Sequence, residues 1–412
     1  MSALDRIAEG AVRARLAGLD SGRLIVHDGP SSSTFGPGHG GPTATVEVVD
    51  PAFYRALAFG GHVGAAEAYV DGDWSTPDLT ALVRLFVRNR DVLDGLETGW
   101  ARWVQPLRRL LHTRNRNTKR GSARNIQAHY DLGNDFFSTF LDETLTYSAG
   151  IFEHADSSLR DASIAKYERI CRKLDLREAD HVVEIGSGWG GFALHAAGTR
   201  GCRVTTTTIS PSQHRLATAR VAEAGLSDLV EVKLEDYRTL QGRYDKLVSI
   251  EMIEAVGHEY YGAYFDACAR LLEPHGLAAI QAITIQDRFY DAARREVDFI
   301  KRYIFPGSNI PSVSALTGAA STTDLRLVHL DDLTPHYAET LRRWRSRFLD
   351  SWDRIEALGF DTSFRRLWEF YFCYCEGGFD EALLGSLQLV FAKPQATVPS
   401  VVELPRLQVS AA

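Results

Sequence analysis

A glycine-rich loop is the feature of this sequence whose spacing points most directly to chemistry. The mostly apolar strand at residues 182–185 runs into GSGWGG at 186–191, and FALHAA follows with helical character. Glycines at such a turn allow left-handed backbone and let a ligand approach the main chain closely. Because the loop lies between a predicted strand and a predicted helix, it indicates a nucleotide site, with a simple tight turn as the alternative.

The residues around this loop separate the nucleotide classes. Glu184 ends the strand just before the glycines, which is typical of S-adenosylmethionine (SAM) methyltransferases. The next strand ends at Thr208 and lacks the acid that would hold the ribose of a nicotinamide cofactor. Gln213 opens the following helix. Glu235 and Asp236 follow the third strand, where they could meet an adenine amino group or form a solvated turn.

Strands and helices alternate from about residue 130 onward, which predicts an α/β domain with a mainly parallel sheet. The predicted strands are residues 181–185, 203–209, 229–233, 246–250, 277–285, 325–330 and 386–393. The predicted helices are residues 192–198, 212–224, 258–272 and 338–358. Residues 286–320 are longer than a simple connection, so we interpret them as an insertion.

The first 100 residues are predicted to form a small mixed α/β domain. Helical spacing covers residues 3–18, and residues 24–27 and 44–49 are predicted strands. The segment SSSTFGPGHGGP at 31–42 is predicted to be a loop because it is rich in Gly, Ser and Pro. Residues 51–95 are predicted to be mostly helical.

The amino-acid composition limits the cellular compartment and the binding partners that we expect for this protein. The chain has 412 residues, with 46 Lys and Arg against 53 Asp and Glu, a net charge of −7 that weighs against a dedicated nucleic-acid coat. Its five cysteines are odd in number and have no zinc-site spacing, so we expect free thiols, no metal and a reducing, cytoplasmic compartment. It has no predicted signal peptide and no apolar run of 18 residues.

Residues 101–124 carry an unusual charge pattern. From Arg102 to Tyr130 there are eight Lys or Arg and no acid. One interpretation is a solvated linker with a helical first half. The other is a contact with an anionic lipid surface, worth about 1 kcal/mol per well-placed cation, which would make the protein peripheral on the inner face of the membrane.

A second cluster lies around residues 129–140. His129, Tyr130 and Asp131 precede a segment that contains Asn134, Asp135 and three phenylalanines. Such a helix could close over a bound cofactor and exclude water. Alternatively, Asn134 or Asp135 caps a helix whose phenylalanines pack in the core.

Six ordered blocks of the sequence resemble the cyclopropane-fatty-acyl-phospholipid synthases, which are SAM-dependent and include the mycolic-acid cyclopropane synthases and methyltransferases. The blocks are residues 125–152, 182–193, 249–261, 298–312, 336–348 and 370–393. The resemblance implies a Rossmann-like SAM methyltransferase domain over 125–394 with a mostly parallel seven-stranded sheet. It also implies a lid or acyl tunnel at 286–320, a loose tail at 395–412 and a homodimer.

The resemblance assigns site residues. For SAM it implies Tyr147, Ser148, Gly186, Gly188, Thr208, Gln213, Glu235 and Asp236. For a bound bicarbonate that takes up a proton, it implies Glu254, Tyr337 and the main chain of Ile283. Ala149 replaces the usual cysteine of that site and could act through its backbone N–H. Gln281 replaces the usual histidine, and can donate a hydrogen bond but cannot titrate near neutrality.

The chemistry that follows is attack of a double bond on an electrophilic methyl group, which leaves a carbocation that must then lose a proton. The predicted function is transfer of a methylene group from SAM to an unsaturated acyl chain of a membrane phospholipid, forming a cyclopropane fatty acid. The alternative is methyl or methylene branching of the 10-methyl type, with a separate reductase. A small-molecule N-methyltransferase is a third and weaker alternative.

Overall fold

The computed structural model describes residues 2–90 and 132–400. The strands, in chain order, are β1 (Arg23–Asp28), β2 (Ser31–Phe35), β3 (Thr43–Val48), β4 (Trp74–Ser75), β5 (His181–Ile185), β6 (Arg203–Thr208), β7 (Val230–Leu234), β8 (Tyr244–Ile250), β9 (Leu272–Ile285), β10 (Arg326–Asp332) and β11 (Leu384–Ala392). The α-helices are α1 (Ala3–Leu16), α2 (Ala52–Asp71), α3 (Leu79–Arg88), α4 (Asn134–Phe137), α5 (Leu159–Lys173), α6 (Gly191–Arg200), α7 (Pro211–Glu223), α8 (Tyr261–Leu271), α9 (Asp287–Ala293), α10 (Val313–Ala320), α11 (Thr334–Asp350), α12 (Trp352–Ala357) and α13 (Thr362–Asp380).

The described residues fall into two compact units. The first contains residues 2–90, 295–304 and 344–383, and the second contains residues 132–294, 305–343 and 384–400. The basic residues 101–124 and the end of the tail, 401–412, lie outside the described residues. In the described part, no helix is both long enough and apolar enough to cross a membrane.

The second unit is built on a seven-stranded sheet, which confirms the predicted fold class. Its order is β10-β11-β9-β8-β5-β6-β7, and β9, β8, β5, β6 and β7 run parallel to one another. The strands β11 and β10 join antiparallel at one edge. The strands β5 and β9 are largely buried apolar runs, as expected for a parallel sheet covered on both faces, whereas β6 is buried but consists mainly of threonine. The predicted strand 181–185 coincides with β5.

The parallel arrangement decides where the site can form. The carboxyl ends of β5, β6 and β8 meet at one edge of the sheet, and β9 brings Gln281 opposite Ile250 at the same edge. Ligands of open α/β sheets bind beyond this edge. The glycine loop, the segment after β8 and the end of β9 are therefore neighbours.

The first unit contains a four-stranded sheet in the order β2-β1-β3-β4. The prediction of a loop over residues 31–42 was wrong for its first part, because Ser31–Phe35 pairs antiparallel with β1 as strand β2. This strand lies at the sheet edge, and none of its residues is buried. An edge strand needs no apolar face, so its serines resembled a loop.

Two predicted helices also have different limits in the structure. The predicted helix 338–358 is two helices, α11 and α12, with Ser351 between them in a non-helical conformation. The predicted helix 258–272 begins at Tyr261, because His258–Tyr260 forms a 3-10 turn. Within residues 286–320 the structure has α9, a π-helical turn at Ile300–Ile304 and α10.

A close backbone approach in α2 yields the first prediction. Gly61 kinks this helix with φ 59° and ψ −147°, and a Cβ on Gly64 would lie 2.0 Å from the carbonyl oxygen of Ala56. Gly64→Ala should therefore destabilise the protein by about 1–3 kcal/mol, because backbone must move. Thermal unfolding followed by circular dichroism measures the change.

Gly10→Ala in α1 is the matched control. A Cβ there meets no heavy atom within 4 Å, so alanine should be neutral or stabilise by about 0.5–1 kcal/mol through helix propensity. Equal melting temperatures for the two variants would contradict the close approach at Gly64.

Candidate active site

The glycine loop after β5 has the backbone that a nucleotide-binding turn needs. Gly186 and Gly188 have φ of 95° and 48°, in the left-handed region. The N–H groups of Gly186 and Ser187 both donate to the carbonyl of Thr207, at 3.0 and 2.9 Å, which fastens the loop to β6. A Cβ on Gly188 would meet no heavy atom within 4 Å, so this turn faces open space. The loop therefore fits SAM.

Polar side chains at the ends of β5 and β6 bind one another. Thr206 donates to the carboxylate of Glu184 at 2.6 Å, and burial raises the pKa of Glu184 to about 8. Thr208 donates to the side-chain oxygen of Gln213 at 2.8 Å, so these two predicted SAM residues come together. The side chain of Glu184, the acid before the glycines, therefore points toward the interior of the domain, where its hydrogen bond joins β5 to β6.

The two acids predicted to meet adenine have different surroundings. Both carboxylate oxygens of Asp236 accept hydrogen bonds from Arg238, at 2.9 and 2.6 Å. Glu235 accepts one from Thr239 at 3.1 Å, and its own N–H donates to the carbonyl of Thr208 at 3.0 Å. Both residues lie at the correct edge of the sheet, and their contact with adenine stays a prediction.

The segment before α5 brings aromatic and polar groups to the same edge. The Tyr147 ring packs beside Phe137 with centroids 5.3 Å apart, and Trp189 donates to the side-chain oxygen of Asn134 at 2.8 Å. Asn134 therefore joins α4 to the glycine loop. It does not act as the cap of α4, because the N-cap residue is Gly133. Residues 129–131 lie outside the described part of the chain.

A buried lysine lies under this segment and was not predicted. Lys166 of α5 is completely buried and donates to the hydroxyl of Ser148 at 2.5 Å. Burial lowers its pKa to about 8, against the attraction of Glu251, Asp142 and Glu184. The signal available in the sequence was its place in the buried stripe of α5, which includes Ala162, Lys166 and Ile170.

Glu251, which the sequence analysis also missed, is the centre of the hydrogen-bonded site. One of its carboxylate oxygens accepts from the N–H of Ala149 at 2.9 Å and from the amide of Gln281 at 2.8 Å. The other accepts from the hydroxyl of Tyr337 at 2.8 Å. Three residues predicted to hold bicarbonate thus converge on a carboxylate of the chain itself.

The orientation of Gln281 follows from a chain of donors. Lys173 can only donate, and it does so to the side-chain oxygen of Gln388 at 2.7 Å. The NH2 group of Gln388 then donates to the oxygen of Gln281 at 2.9 Å, across the β9–β11 pair. Gln281 must therefore present its NH2 group to Glu251. These contacts fix which end of each amide is the donor.

Glu254 supplies a second carboxyl group on the 3-10 turn Ile253–Ala255. One oxygen accepts from the main-chain N–H of Ile283 at 2.5 Å. Among the described residues, no hydrogen-bond partner reaches its other oxygen, although the residue is only 9% exposed. Burial, and then repulsion by Glu251, raises the pKa of Glu254 to about 8.

These two carboxyl groups have unequal protonation. Burial raises the pKa of Glu251 as well, but Lys166 and the three donors oppose that rise. Glu251 is therefore the ionised partner, and Glu254 keeps a proton at neutral pH. A single negative charge in such a site can stabilise a cation, and its carboxylate can accept a proton.

The raised pKa of Glu254 makes stability depend on pH. In the unfolded chain this group ionises near pH 4.5, so its contribution to stability is complete below that pH and is lost as pH rises toward 8. Glu254→Gln removes this loss, because glutamine has the shape of the neutral acid. The variant should have the same melting temperature as the natural protein at pH 4 and a higher one at pH 8. Between the two pKa values, the free energy of unfolding of the natural protein falls relative to that of the variant by at most about 1.4 kcal/mol per pH unit.

Glu259→Gln, at an exposed position of the same segment, is the control and should show no such pH-dependent difference. If Glu254→Gln melts at the same temperature as the natural protein at pH 8, Glu254 does not keep a proton in the folded state.

Comparisons with known proteins identify the family. The model of one family, described as mycolic acid cyclopropane synthetase, matches residues 117–389. The tuberculostearic acid methyltransferase UfaA1 of Mycobacterium tuberculosis is 39% identical over 377 residues, covering 89% of this chain and 86% of that protein. The cyclopropane-fatty-acyl-phospholipid synthase of Escherichia coli K12 is 33% identical over 360 residues, covering 86% and 89%.

A solved structure agrees with these relatives. The mycolic acid cyclopropane synthase CmaA1, complexed with SAH and CTAB, matches with a TM-score of 0.62 and 30% identity, over 66% of this chain and 98% of that one. The resemblance stated from the six sequence blocks is therefore confirmed. The chain belongs to the mycolic acid cyclopropane synthetase family, whose members are SAM-dependent enzymes that cyclopropanate or methylate lipid acyl chains.

Proposed function

We propose that this protein transfers the methyl group of SAM to the double bond of an unsaturated acyl chain in a membrane phospholipid, through a carbocation, and that the product carries a methylene branch. The observation that supports this most is the unequal carboxyl pair beside the glycine loop. The pair and the loop are adjacent, because a Cβ on Gly186 would lie 3.1 Å from the side chain of Met252.

SAM supplies an electrophilic methyl group carried on a positively charged sulfur. The acyl double bond donates its π electron pair to that methyl carbon as the sulfur–methyl bond breaks, and the neighbouring chain carbon becomes a cation. The ionised Glu251 offers the opposite charge. Water must be kept out because it would trap the cation. The completely buried rings of Phe137 and Phe140 pack on Tyr147, and Phe136 packs on both of them, so this cluster can exclude water.

The product depends on how soon the proton leaves. If the added methyl group loses a proton at once, the freed electron pair closes a cyclopropane ring. If a hydride first moves from the methylated carbon to the cationic carbon, a more stable tertiary cation forms. Loss of a methyl proton then leaves an exocyclic double bond. The three hydrogen bonds that Glu251 accepts, together with Lys166, oppose the rise in its pKa that burial causes and so weaken it as a base, which allows time for the shift.

The comparisons favour the same choice. The relative named as a tuberculostearic acid methyltransferase shares 39% identity with this chain, and the relative named as a cyclopropane synthase shares 33%. Ring formation, the first expectation from the sequence, is the second candidate, and the description of the matching family supports it. A saturated methyl branch would require a separate reductase.

The test combines purified protein, methyl-labelled SAM and vesicles of monounsaturated phospholipid. Released fatty acids are examined by proton NMR, because a ring and an exocyclic methylene add the same mass. We expect label in the acyl chain and vinylidene protons. Upfield ring protons would establish the second candidate, and label that never enters an acyl chain would overturn the proposal. A substrate with deuterium at both alkene carbons adds a check, since the shift places two deuterons on one carbon.

The basic residues 101–124 support a docking role on an anionic membrane, on the cytoplasmic inner face. Arg114, Arg116, Lys119, Arg120 and Arg124 stand in a stretch that contains no acid. Replacing these five with serine should weaken binding to anionic vesicles, and the loss should shrink as salt rises, because salt screens the attraction. Sedimentation with vesicles measures the bound fraction.

Five arginines at exposed positions of the second unit provide the control: Arg160, Arg172, Arg177, Arg203 and Arg215. Their replacement with serine lowers the net charge equally and should reduce vesicle binding less. Equal effects would mean that total charge, and not residues 114–124, governs the contact.

A further inference from the structure

The groups expected to bind bicarbonate are already engaged. The N–H of Ala149, the amide of Gln281 and the hydroxyl of Tyr337 all donate to Glu251, at 2.8–2.9 Å. The N–H of Ile283 donates to Glu254. A bicarbonate ion placed among them would have to displace these two carboxyl groups, and it would lie against the negative charge of Glu251. The residues present therefore do not fit a separate bicarbonate.

Glu251 has the chemistry that such an ion would supply. A carboxylate, like bicarbonate, is a planar anion with two equivalent oxygens that can accept several hydrogen bonds and take up one proton. Both oxygens of Glu251 point at donors, as those of a bound ion would. The chain thus presents a tethered anion at this position.

The backbone at Glu251 supports a functional role. Its φ of 49° lies in the left-handed region, which costs a residue with a side chain about 1–3 kcal/mol. Its N–H donates to the carbonyl of Gln281 at 2.8 Å, so main chain and side chain are both held to β9. Such strain persists where the surroundings fix it, and it is common at active sites.

A chain of hydrogen bonds also holds Gln281, one of the donors to Glu251, in its orientation. The chain from Lys173 through Gln388 to Gln281 keeps an N–H of Gln281 aimed at Glu251. Lys173 is itself buried and paired with Asp331 at 2.6 Å. Gln388 and Lys173 are therefore positioning residues for the carboxylate.

We propose that Glu251 replaces bicarbonate in this protein and is the group that accepts the proton from the carbocation. In this step the C–H bond of the added methyl group breaks, and its electron pair forms the π bond of the exocyclic methylene. The proton passes to an oxygen of Glu251, which becomes a neutral acid and loses the proton to solvent after the product leaves. This proposal rests on the proposed function.

The first test uses the natural protein. Carbon-13-labelled bicarbonate is titrated with the protein and S-adenosylhomocysteine and is observed by NMR, and turnover is measured in carbon-dioxide-free buffer with and without added bicarbonate. We expect no saturable binding and less than a twofold change in turnover. Saturable binding, or activity that depends on bicarbonate, would overturn the proposal.

Two variants sharpen the result. Glu251→Gly tolerates the left-handed backbone and removes the carboxylate from the site. Without bicarbonate, its turnover should fall at least about 100-fold. It should bind labelled bicarbonate, and added bicarbonate should raise its turnover at least tenfold. Glu251→Gln keeps the shape but not the charge, and should lose turnover without recovery. Glu259→Gln, exposed on the same segment, should match the natural protein in every buffer. Full activity of Glu251→Gln would contradict the role of Glu251.

The two proposals fail in different ways. If the natural protein transfers no methyl group to any unsaturated chain, the proposed function fails, while the labelled-bicarbonate titration still decides whether Glu251 occupies the ion's place. If methyl transfer occurs and requires bicarbonate, the function stands and the role of Glu251 fails.

Discussion

The site depends on one carboxylate held by three donors. Glu251 joins the segment after β8 to the loop at Ala149, to β9 through Gln281 and to α11 through Tyr337. Taking a carboxylate from water is costly, and only well-aligned donors and a nearby cation offset that cost. Loss of any one donor would leave a charge partly unsatisfied. The four chain segments are therefore tied to a common geometry.

The second carboxyl group follows from the first. Two carboxylates in one water-poor site cannot both be charged, so the ionised Glu251 leaves Glu254 neutral. The pair then has one negative charge and one proton. That state suits a reaction whose reagent and intermediate are both cations and whose last step releases a proton. Lys166, whose pKa is lowered to about 8, donates a hydrogen bond to Ser148. Its positive charge attracts Glu251 and helps to keep that carboxylate ionised.

The sequence predicted the fold well where burial follows a simple pattern. The strands β5 and β9 are largely apolar runs because both faces of the sheet are covered, and the glycine loop is a local motif that needs no tertiary information. The edge strand β2 has no buried residue, so nothing in Ser31–Phe35 distinguishes it from a loop.

The site was harder to predict because its roles depend on tertiary contacts. Glu251 and Glu254 stand three residues apart in EMIE, and residue type alone does not tell which receives three hydrogen bonds and which receives one. Lys166 and Gln388 lie far away in sequence and look like ordinary helix and strand residues. Only the packing of α5 and the register of β11 on β9 bring them to the carboxylates.

A crystal structure of the protein with S-adenosylhomocysteine, grown in bicarbonate-rich solution and refined at atomic resolution, tests the central claim most directly. We predict the Glu251 carboxylate within hydrogen-bond distance of the Ala149 N–H, the Gln281 amide and the Tyr337 hydroxyl, with carbon–oxygen bond lengths of an ionised group. A separate trigonal anion on those three donors, with the Glu251 side chain turned away, would contradict it.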